Sequence, residues 1–278
     1  MTQGERSAAL EAIAAEVRTC TACRLHETRT NAVPGEGHPD TEVMFVGEGP
    51  GFNEDRLGRP FVGRAGDKLV ELLGSIQWQR DEVFITNVVK CRPPDNRDPL
   101  PDEIAACRPF LRRQLEALDP ALVVTLGRFS MGAFMPGARI SEAHGTVRRA
   151  DPATGAADAS VYALYHPAAA LRSPAVAQTS VADIAGVPAA LEASRSGRAS
   201  RRASAGEVPA PAAATQPSGP TDVVAVAVGP AVESAAELPL TPPAAQFESD
   251  AANEPAPRPA SDAPAPSDAT EQAGLFPL

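Results

Sequence analysis

The sequence lacks the features that would identify a membrane, secreted or nucleotide-binding protein. No apolar run approaches the length of about 18 residues that a membrane-spanning helix needs. The charged start "MTQGERSAAL" also lacks the apolar core of a signal peptide. We therefore expect a cytoplasmic protein, in which cysteines serve metal binding or catalysis more often than disulfides.

The last quarter of the chain has little basic charge and few residues that could form a core. Residues 203–278 hold one arginine against ten acidic residues, together with 14 of the 29 prolines. This composition cannot bury enough apolar surface to offset its chain entropy. We predict a folded domain over residues 1–195 and a disordered, acidic tail rich in proline and alanine over residues 196–278. The basic run "ASRSGRASRR" (193–202) is interpreted as a solvated linker or a weak contact to a polyanion.

Four short runs rich in β-branched residues predict buried strands. They are "EVMFVGEG" (42–49), "EVFITNVV" (82–89), "ALVVTLG" (121–127) and "SVYALYHP" (160–167). Between and before them, apolar residues recur at the spacing of helices over residues 4–20, 64–76 and 101–118. This alternation predicts a three-layer α/β/α sandwich with a mainly parallel four-stranded central sheet.

Ligands of such sheets bind beyond the carboxyl ends of the strands, and polar residues stand there in this sequence. Glu48 follows the first predicted strand, Asn87 lies in the second and His166 follows the fourth. Singly, Asn87 fits a turn residue and His166 a structural histidine, but their convergence favours a site. The turn "GEGPG" does not complete a dinucleotide fingerprint because Phe52 holds the final position, and no GK[ST] follows it.

The four cysteines have the spacing of a metal site. Cys20 and Cys23 form a CxxC pair, and Cys91 and Cys107 follow much later in the chain. The spacing fits four thiolate ligands, but it does not separate zinc from an iron–sulfur cluster, and unligated core cysteines remain the alternative.

Three motifs and the CxxC pair resemble the family 4 uracil-DNA glycosylases, the iron–sulfur branch of that superfamily. The motifs are "GEGPGFNEDRLGRPFVGRAG" (47–66), "TNVVKCRPPDNRDPLPDEIAAC" (86–107) and "YHPAAALRSP" (165–174), and the resemblance spans about residues 1–195. It departs at Gly49, where the family usually has alanine. The middle motif lacks the histidine of a related branch that traps its product covalently, so we expect no covalent trapping.

The resemblance implies a [4Fe-4S] cluster held by Cys20, Cys23, Cys91 and Cys107. It also implies a pocket for a flipped uracil, a base that must leave the DNA stack to be reached. The family roles fall on these positions: Phe61 stacks on the base, Asn87 reads its hydrogen-bonding edge, Glu54 and Gly49 adjoin it, neutral His166 donates to O2, and Glu48 positions the water.

The resemblance also implies that the loop after His166 enters the DNA minor groove. Leu171 would fill the space left by the flipped base and Arg172 would contact phosphate, whereas a helical core position is the alternative for Leu171. His144, in another loop, is a weaker candidate for a phosphate contact.

The final residues "EQAGLFPL" (271–278) are apolar, unlike the tail before them. Gln272, Leu275 and Phe276 match the QxxLF pattern of peptides that dock into the bacterial sliding clamp, and a neutral apolar terminus is the alternative.

The function expected from these residues is base excision repair. A monomeric enzyme would flip uracil out of DNA and hydrolyse its N-glycosidic bond, leaving an abasic site. Lyase activity is not expected, because the only lysines are Lys68 and Lys90 and neither is given a role in the site. The alternatives are a non-catalytic iron–sulfur module that binds damaged DNA and a nucleotide-dependent oxidoreductase.

Overall fold

The computed structural model of the protein describes residues 1–156 and 158–206. The predicted tail beyond residue 206 and the peptide with Gln272, Leu275 and Phe276 lie outside the described residues. The described residues all belong to one compact unit.

Four buried parallel strands form the centre of the sheet, as the apolar runs predict. These strands are β2 (Val43–Gly47), β3 (Phe84–Asn87), β4 (Leu122–Leu126) and β6 (Ser160–Leu164). Two short strands pair antiparallel at the edges, β1 (Glu36–Gly37) with β3 and β5 (Val147–Arg149) with β6. Among the described residues the sheet order is therefore β1-β3-β2-β4-β6-β5.

Helices connect the strands and cover both faces of the sheet. In chain order the helices of the described residues are α1 (Gln3–Thr19), α2 (Phe52–Leu57), α3 (Arg64–Ser75), α4 (Pro101–Leu118), α5 (Arg128–Phe134), α6 (Ile140–Ala143), α7 (Pro167–Arg172), α8 (Pro174–Ile184) and α9 (Val187–Gly206). None of them has the length and apolar composition that crossing a bilayer requires.

Successive side chains of β2 enter different cores, because neighbouring residues of a strand point to opposite faces. Met44 and Val46 pack with residues of α1, α4 and α5. Val43 and Phe45 pack with residues of α3, α8 and α9. The α/β/α sandwich predicted from the sequence is confirmed, and the two short edge strands are additions to it.

The basic run at 193–202 differs from its prediction as a linker, because it continues α9 to Gly206. Three arginines of this helix pair with carboxylates of the folded unit. Arg195 bonds Glu42 at 2.5 Å, Arg198 bonds Asp119 at 2.5 Å, and Arg201 bonds Asp158 at 2.6 Å. Periodicity alone did not reveal that residues 193–202 are helical, since the buried apolar residues of α9 lie before this run, at Val187, Ala190 and Leu191, and the run itself is held by ion pairs.

Candidate active site

The carboxyl ends of the parallel strands bring the predicted polar residues to one edge of the sheet. Gly47 and Asn87 are direct partners where β2 and β3 end. Gly127 follows β4 and His166 follows β6 two residues after its last member. The residues at the ends of four parallel strands therefore lie at one edge of the sheet, as expected for this topology.

The side-chain amide of Asn87 is buried and has no hydrogen-bond partner. Asn87 is 1% exposed, and both its Oδ1 and its Nδ2 lack partners within the described residues. A β-carbon on Gly47 would lie 2.4 Å from Oδ1, so only glycine leaves room for the amide in this position. A buried polar group without partners costs about 1 to 3 kcal/mol, so this amide is suited to receive a ligand or a water molecule.

The ring of Phe61 lies beside the Asn87 amide, since both approach Gly47, and the backbone of Phe61 is strained. Its φ of 50° lies in the left-handed region, which is uncommon for an aromatic residue. Gly66 permits this conformation, since a β-carbon there would lie 1.9 Å from the Phe61 carbonyl oxygen. Arg80 donates to that carbonyl at 3.0 Å and also to the carbonyl of Pro60. Strain held by such contacts is typical of functional loops.

Glu54 fixes the loop that follows Phe61. Its Oε1 accepts hydrogen bonds from the backbone N–H groups of Val62 and Gly63, both at 2.8 Å. This contact leaves no pattern in the sequence, because it joins residues eight and nine positions apart through the loop backbone. The prediction that Glu54 adjoins the base stays a prediction.

His166 is held in one orientation and in one neutral tautomer. Its Nδ1 accepts the backbone N–H of Ala168 at 3.1 Å, which leaves the proton on Nε2. Its ring centroid lies 5.8 Å from that of Phe61, and Gly127 leaves space for the His166 side chain. Burial, aided by the charge of Arg172 and opposed by that of Glu54, lowers the pKa of His166 to about 4. The imidazole is therefore neutral at physiological pH.

Glu48 begins the turn after β2 in a partly buried position. Burial, aided by the charge of Asp98 and opposed by that of Arg128, raises the pKa of Glu48 to about 7. A carboxyl group that titrates near neutrality is suited to accept a proton. The next residue, Gly49, packs on Val89, whose Cγ2 would lie 2.7 Å from an added β-carbon. The glycine at this position thus makes room for Val89.

The four cysteines line a single cavity between α1, the segment after β3 and α4. Cys91 and Cys107 are buried, and Cys20 and Cys23 are partly exposed. N–H groups point at the sulfurs: Arg29 Nη1 lies 3.0 Å from Cys91 Sγ, and the Lys90 backbone nitrogen lies 3.2 Å from Cys107 Sγ. In the described part of the chain, no three potential ligands are placed to hold a single metal ion.

Lys90 is a buried residue whose position the sequence analysis missed. It is 1% exposed, and its Nζ donates to Thr86 Oγ1 at 2.6 Å, to the Asn87 carbonyl at 2.7 Å and to Gln114 Oε1 at 2.7 Å. Burial lowers the pKa of Lys90 to about 8, opposed by Cys107. A lysine inside the apolar run "TNVVKC" was the signal that could have revealed it.

Of the residues predicted to contact DNA, two are exposed to solvent and one is held by contacts within the protein. Leu171 lies in α7 and is 41% exposed, so the alternative of a core position does not hold. Arg172 is also exposed. His144 is anchored instead, with Nδ1 2.8 Å from Asp183 Oδ2 and its ring 4.7 Å from that of Tyr165. Its predicted phosphate contact stays a prediction.

Comparisons with known proteins agree with the motifs and the geometry. The family model of the uracil DNA glycosylase superfamily matches residues 34–184. The chain is 48% identical over 171 residues to the type-4 uracil-DNA glycosylase of Sulfurisphaera tokodaii, covering 59% of this chain and 77% of that protein. It is 46% identical over 168 residues to the type-4 enzyme of Thermotoga maritima, covering 60% and 86%. The type-5 uracil-DNA glycosylase of Pyrobaculum aerophilum is 36% identical over 150 residues, 49% of this chain and 65% of that protein. The chain therefore belongs to the uracil DNA glycosylase superfamily, in its type-4 branch.

Proposed function

We propose that the protein is a monofunctional DNA repair enzyme that releases uracil from DNA and leaves an abasic site. The observation that carries this proposal is the buried, unpartnered amide of Asn87 beside Phe61 and a neutral His166. The type-4 relatives are named uracil-DNA glycosylases, which supports the same activity.

Asn87 supplies the recognition of uracil. Its Oδ1 accepts from N3–H of the flipped base and its Nδ2 donates to O4, while Phe61 stacks against the ring. Cytosine reverses both groups, and each unpaired buried polar group costs about 1 to 3 kcal/mol. In this proposal Glu54 and Gly49 adjoin the base, and Glu54 also keeps the Phe61 loop in place through Val62 and Gly63.

His166 stabilises the negative charge that forms on the leaving base. The C1′–N1 bond breaks with its electron pair moving to uracil, and His166 Nε2–H donates a hydrogen bond to O2. One preorganised donor of this kind is typically worth about 2.7 to 4 kcal/mol. Water attacks C1′ while Glu48 orients it and accepts its proton, and the uracil anion later takes a proton from solvent. Because the sugar cation is reactive, Glu48 contributes less than His166.

The exposed face around the pocket binds the DNA. Leu171 enters the space left by the flipped base, Arg172 contacts phosphate, and His144 approaches the backbone in an orientation set by Asp183. Lyase chemistry is not proposed, because Lys90 Nζ is fully engaged by three oxygen atoms and Lys68 pairs with Glu71 on the surface.

The four cysteines are suited to a [4Fe-4S] cluster. They share one cavity, and their sulfurs receive N–H donors from Arg29 and the Lys90 backbone, as thiolates of a cluster do. The bound cluster would supply a structural cross-link between α1, the segment after β3 and α4.

The proposal includes a second binding partner, the bacterial sliding clamp, which the C-terminal peptide would contact. Gln272, Leu275 and Phe276 would dock into the bacterial sliding clamp, and the long tail would raise the local concentration of a monomeric, cytoplasmic enzyme at replicating DNA. Loss of clamp binding in a Leu275→Ala and Phe276→Ala double variant, measured by titration with purified clamp, tests this contact. Equal affinity of the double variant and the wild type would contradict it.

A uracil-containing oligonucleotide, treated with alkali after incubation, tests the main proposal. Wild type should yield alkali-labile sites, and Asn87→Ala and His166→Ala should lose most of the rate while keeping the fold. Asn87→Asp should gain activity on cytosine, because a second acceptor replaces the amide donor. A folded protein that carries the cluster and binds the oligonucleotide without releasing uracil would instead be the non-catalytic damage-binding module.

A further inference from the structure

Phe52 is an exposed aromatic side chain next to the candidate active site. It is 60% exposed, and it is the one aromatic ring among the large, exposed apolar side chains of residues 1–156 and 158–206. It begins α2 directly after the turn that carries Glu48 and Gly49. Single exposed apolar residues are ordinary on a protein surface, so its surroundings decide what it does.

Arg92 stacks on the ring of Phe52. The guanidinium carbon lies 5.2 Å from the ring centroid, and Arg92 Nε bonds the neutral Asn96 Oδ1 at 2.8 Å. No carboxylate of the described residues forms an ion pair with Arg92, unlike Arg128, which bonds Asp98. The pair therefore presents an aromatic ring and an uncompensated positive charge at the start of α2, directly after the turn that carries Glu48 and Gly49.

The backbone under Phe52 is held in place from two sides. Glu54 is fixed to the loop at Val62 and Gly63, and Asp55 accepts the backbone N–H of Thr30 at 2.9 Å. Asp55 is 3% exposed, so this anchor is shielded from water. A ring on such a support needs little ordering when a ligand stacks on it.

We propose that Phe52 and Arg92 form a stacking platform for a nucleobase next to the flipped uracil on the same strand. Every base has a π-face, and an aromatic ring paired with a cation is the combination that binds single-stranded nucleic acid without sequence preference. Phe52 stacks on the base, and Arg92 neutralises a phosphate beside it. This inference rests on the proposed function, because it places the flipped base in the Asn87 pocket.

The platform matters most for single-stranded DNA. In a duplex, the bases beside the lesion keep a stacking neighbour and a paired partner. In a single strand, a base that loses the flipped uracil as its neighbour is free to stack on Phe52. The platform thus favours binding of uracil in single strands.

Binding of oligonucleotides that contain the cleavage-resistant, sugar-modified nucleoside 2′-fluoro-2′-deoxyuridine tests the platform. Phe52→Ala should weaken binding of the single strand about tenfold, the size expected for one lost stacked base, and should weaken the duplex less. Phe52→Trp should retain binding. Arg92→Gln should reduce the slope of log Kd against log salt by about 0.7, the loss of one phosphate contact to a single strand.

Leu57→Ala is the matched control, since Leu57 lies in the same helix and is 51% exposed. A 2-aminopurine placed on either side of the uracil reports stacking by its fluorescence, which Phe52→Ala should change on one side only. Equal single-strand affinities of Phe52→Ala and Leu57→Ala would overturn the platform. A wild type that bound these strands without releasing uracil from ordinary substrate would overturn the proposed function instead and leave the stacking comparison intact.

Discussion

Gly47 and Asn87 stand opposite each other at the ends of β2 and β3, so close that a methyl group on Gly47 would lie 2.4 Å from Asn87 Oδ1. The same methyl would lie 2.6 Å from Phe61 Cζ. The Asn87 amide and the Phe61 ring, which we propose to read the base and stack on it, therefore both depend on the absence of a side chain at Gly47. No other residue fits this corner without moving one of them.

Gly47→Ala should reduce uracil excision at least about 10²-fold, because it displaces the amide that recognises the base. Overpacking of this kind costs about 1 to 3 kcal/mol, which the fold should survive. Single-turnover rates and thermal melts measure the two effects. Gly74→Ala is the control, since nothing lies within 4 Å of a β-carbon at that helical site. Equal activity of the two variants would contradict the assignment of Asn87.

Glu48 should control the acid limb of the pH–rate profile. Its carboxylate is the form that accepts a proton, and its pKa is raised to about 7, so the wild-type rate should fall as pH drops through about 7. His166, with its pKa lowered to about 4, stays neutral over that range. Glu48→Gln should be slower and should lose this limb, with a smaller loss than the roughly 10² to 10³ expected for His166→Ala. An unchanged limb in Glu48→Gln would contradict the role.

The raised pKa of Glu48 also affects stability. Activity should rise with pH, whereas the stability of the fold should fall with pH. A group whose folded pKa exceeds its unfolded value stabilises the fold below the unfolded pKa and loses that contribution as pH rises through the folded pKa. The loss for Glu48 therefore spans about pH 4.5 to 7. Glu48→Gln should be more stable than wild type at pH 8 by about 1 kcal/mol, since solvent screens part of the shift, and should gain nothing at pH 4.

The central sheet and the convergence of Asn87 with His166 could be predicted from the sequence. Strands buried on both faces leave continuous apolar runs, and parallel strands bring their carboxyl ends together. The edge strands have no apolar run that could predict them, because β5 is exposed along its whole length and β1 has only two residues. Short, exposed strands do not need an apolar pattern.

Contacts between distant polar groups were the other part that the sequence did not reveal. Arg198 is 8% exposed and bonded to Asp119, yet its run of Arg, Ser and Gly resembles a linker. Glu54 resembles a solvated acid until the loop at Val62 folds onto it. Propensity and periodicity describe local preferences, whereas these partners meet only after the chain folds.

Lys90→Met should destabilise the protein and impair the site together. The substitution leaves the Asn87 carbonyl and Gln114 Oε1 without the ammonium that bonds them. Because Gln114 Oε1 then keeps only the long hydrogen bond from Thr86 Oγ1 at 3.4 Å, we expect the free energy of unfolding to fall by about 2 to 4 kcal/mol. Denaturant unfolding and the uracil excision rate are the measurements. Lys68→Met is the control, because Lys68 pairs with Glu71, whose side chain is 66% exposed, and water screens such a pair to less than about 1 kcal/mol. If both variants lost the same stability and activity, the hydrogen bond from Lys90 to the Asn87 carbonyl would not be needed to hold Asn87 in place.

Single replacement of each cysteine by serine should remove the cluster. The four thiols share one cavity, so Cys20→Ser, Cys23→Ser, Cys91→Ser and Cys107→Ser should all lose iron and visible absorption. The cross-link to α1 is lost with them, so limited proteolysis should cleave the N-terminal helix sooner than in wild type. A variant that kept a full complement of iron would remove its cysteine from the ligand set.

Leu171→Ala should slow uracil excision from duplex DNA more than from single-stranded DNA. Leu171 is 41% exposed in α7, the helix that His166 caps, so its position is coupled to that of the imidazole. In a duplex, an apolar wedge fills the gap left by the flipped base and offsets an unstacking cost of a few kcal/mol. A single strand has no opposite base and no gap to fill. Excision from duplex should therefore slow about tenfold, with a smaller effect on single strands.

Val181→Ala is the control for that comparison, because Val181 is an exposed apolar residue of the neighbouring α8 and is 46% exposed. Its removal should leave both substrates unaffected. The preference of Leu171→Ala for single strands should be opposite to that of Phe52→Ala, because the first side chain replaces a base inside a duplex and the second stacks on a base that has lost its neighbour. Equal slowing of duplex and single strand by Leu171→Ala would mean that the side chain supports α7 rather than entering DNA.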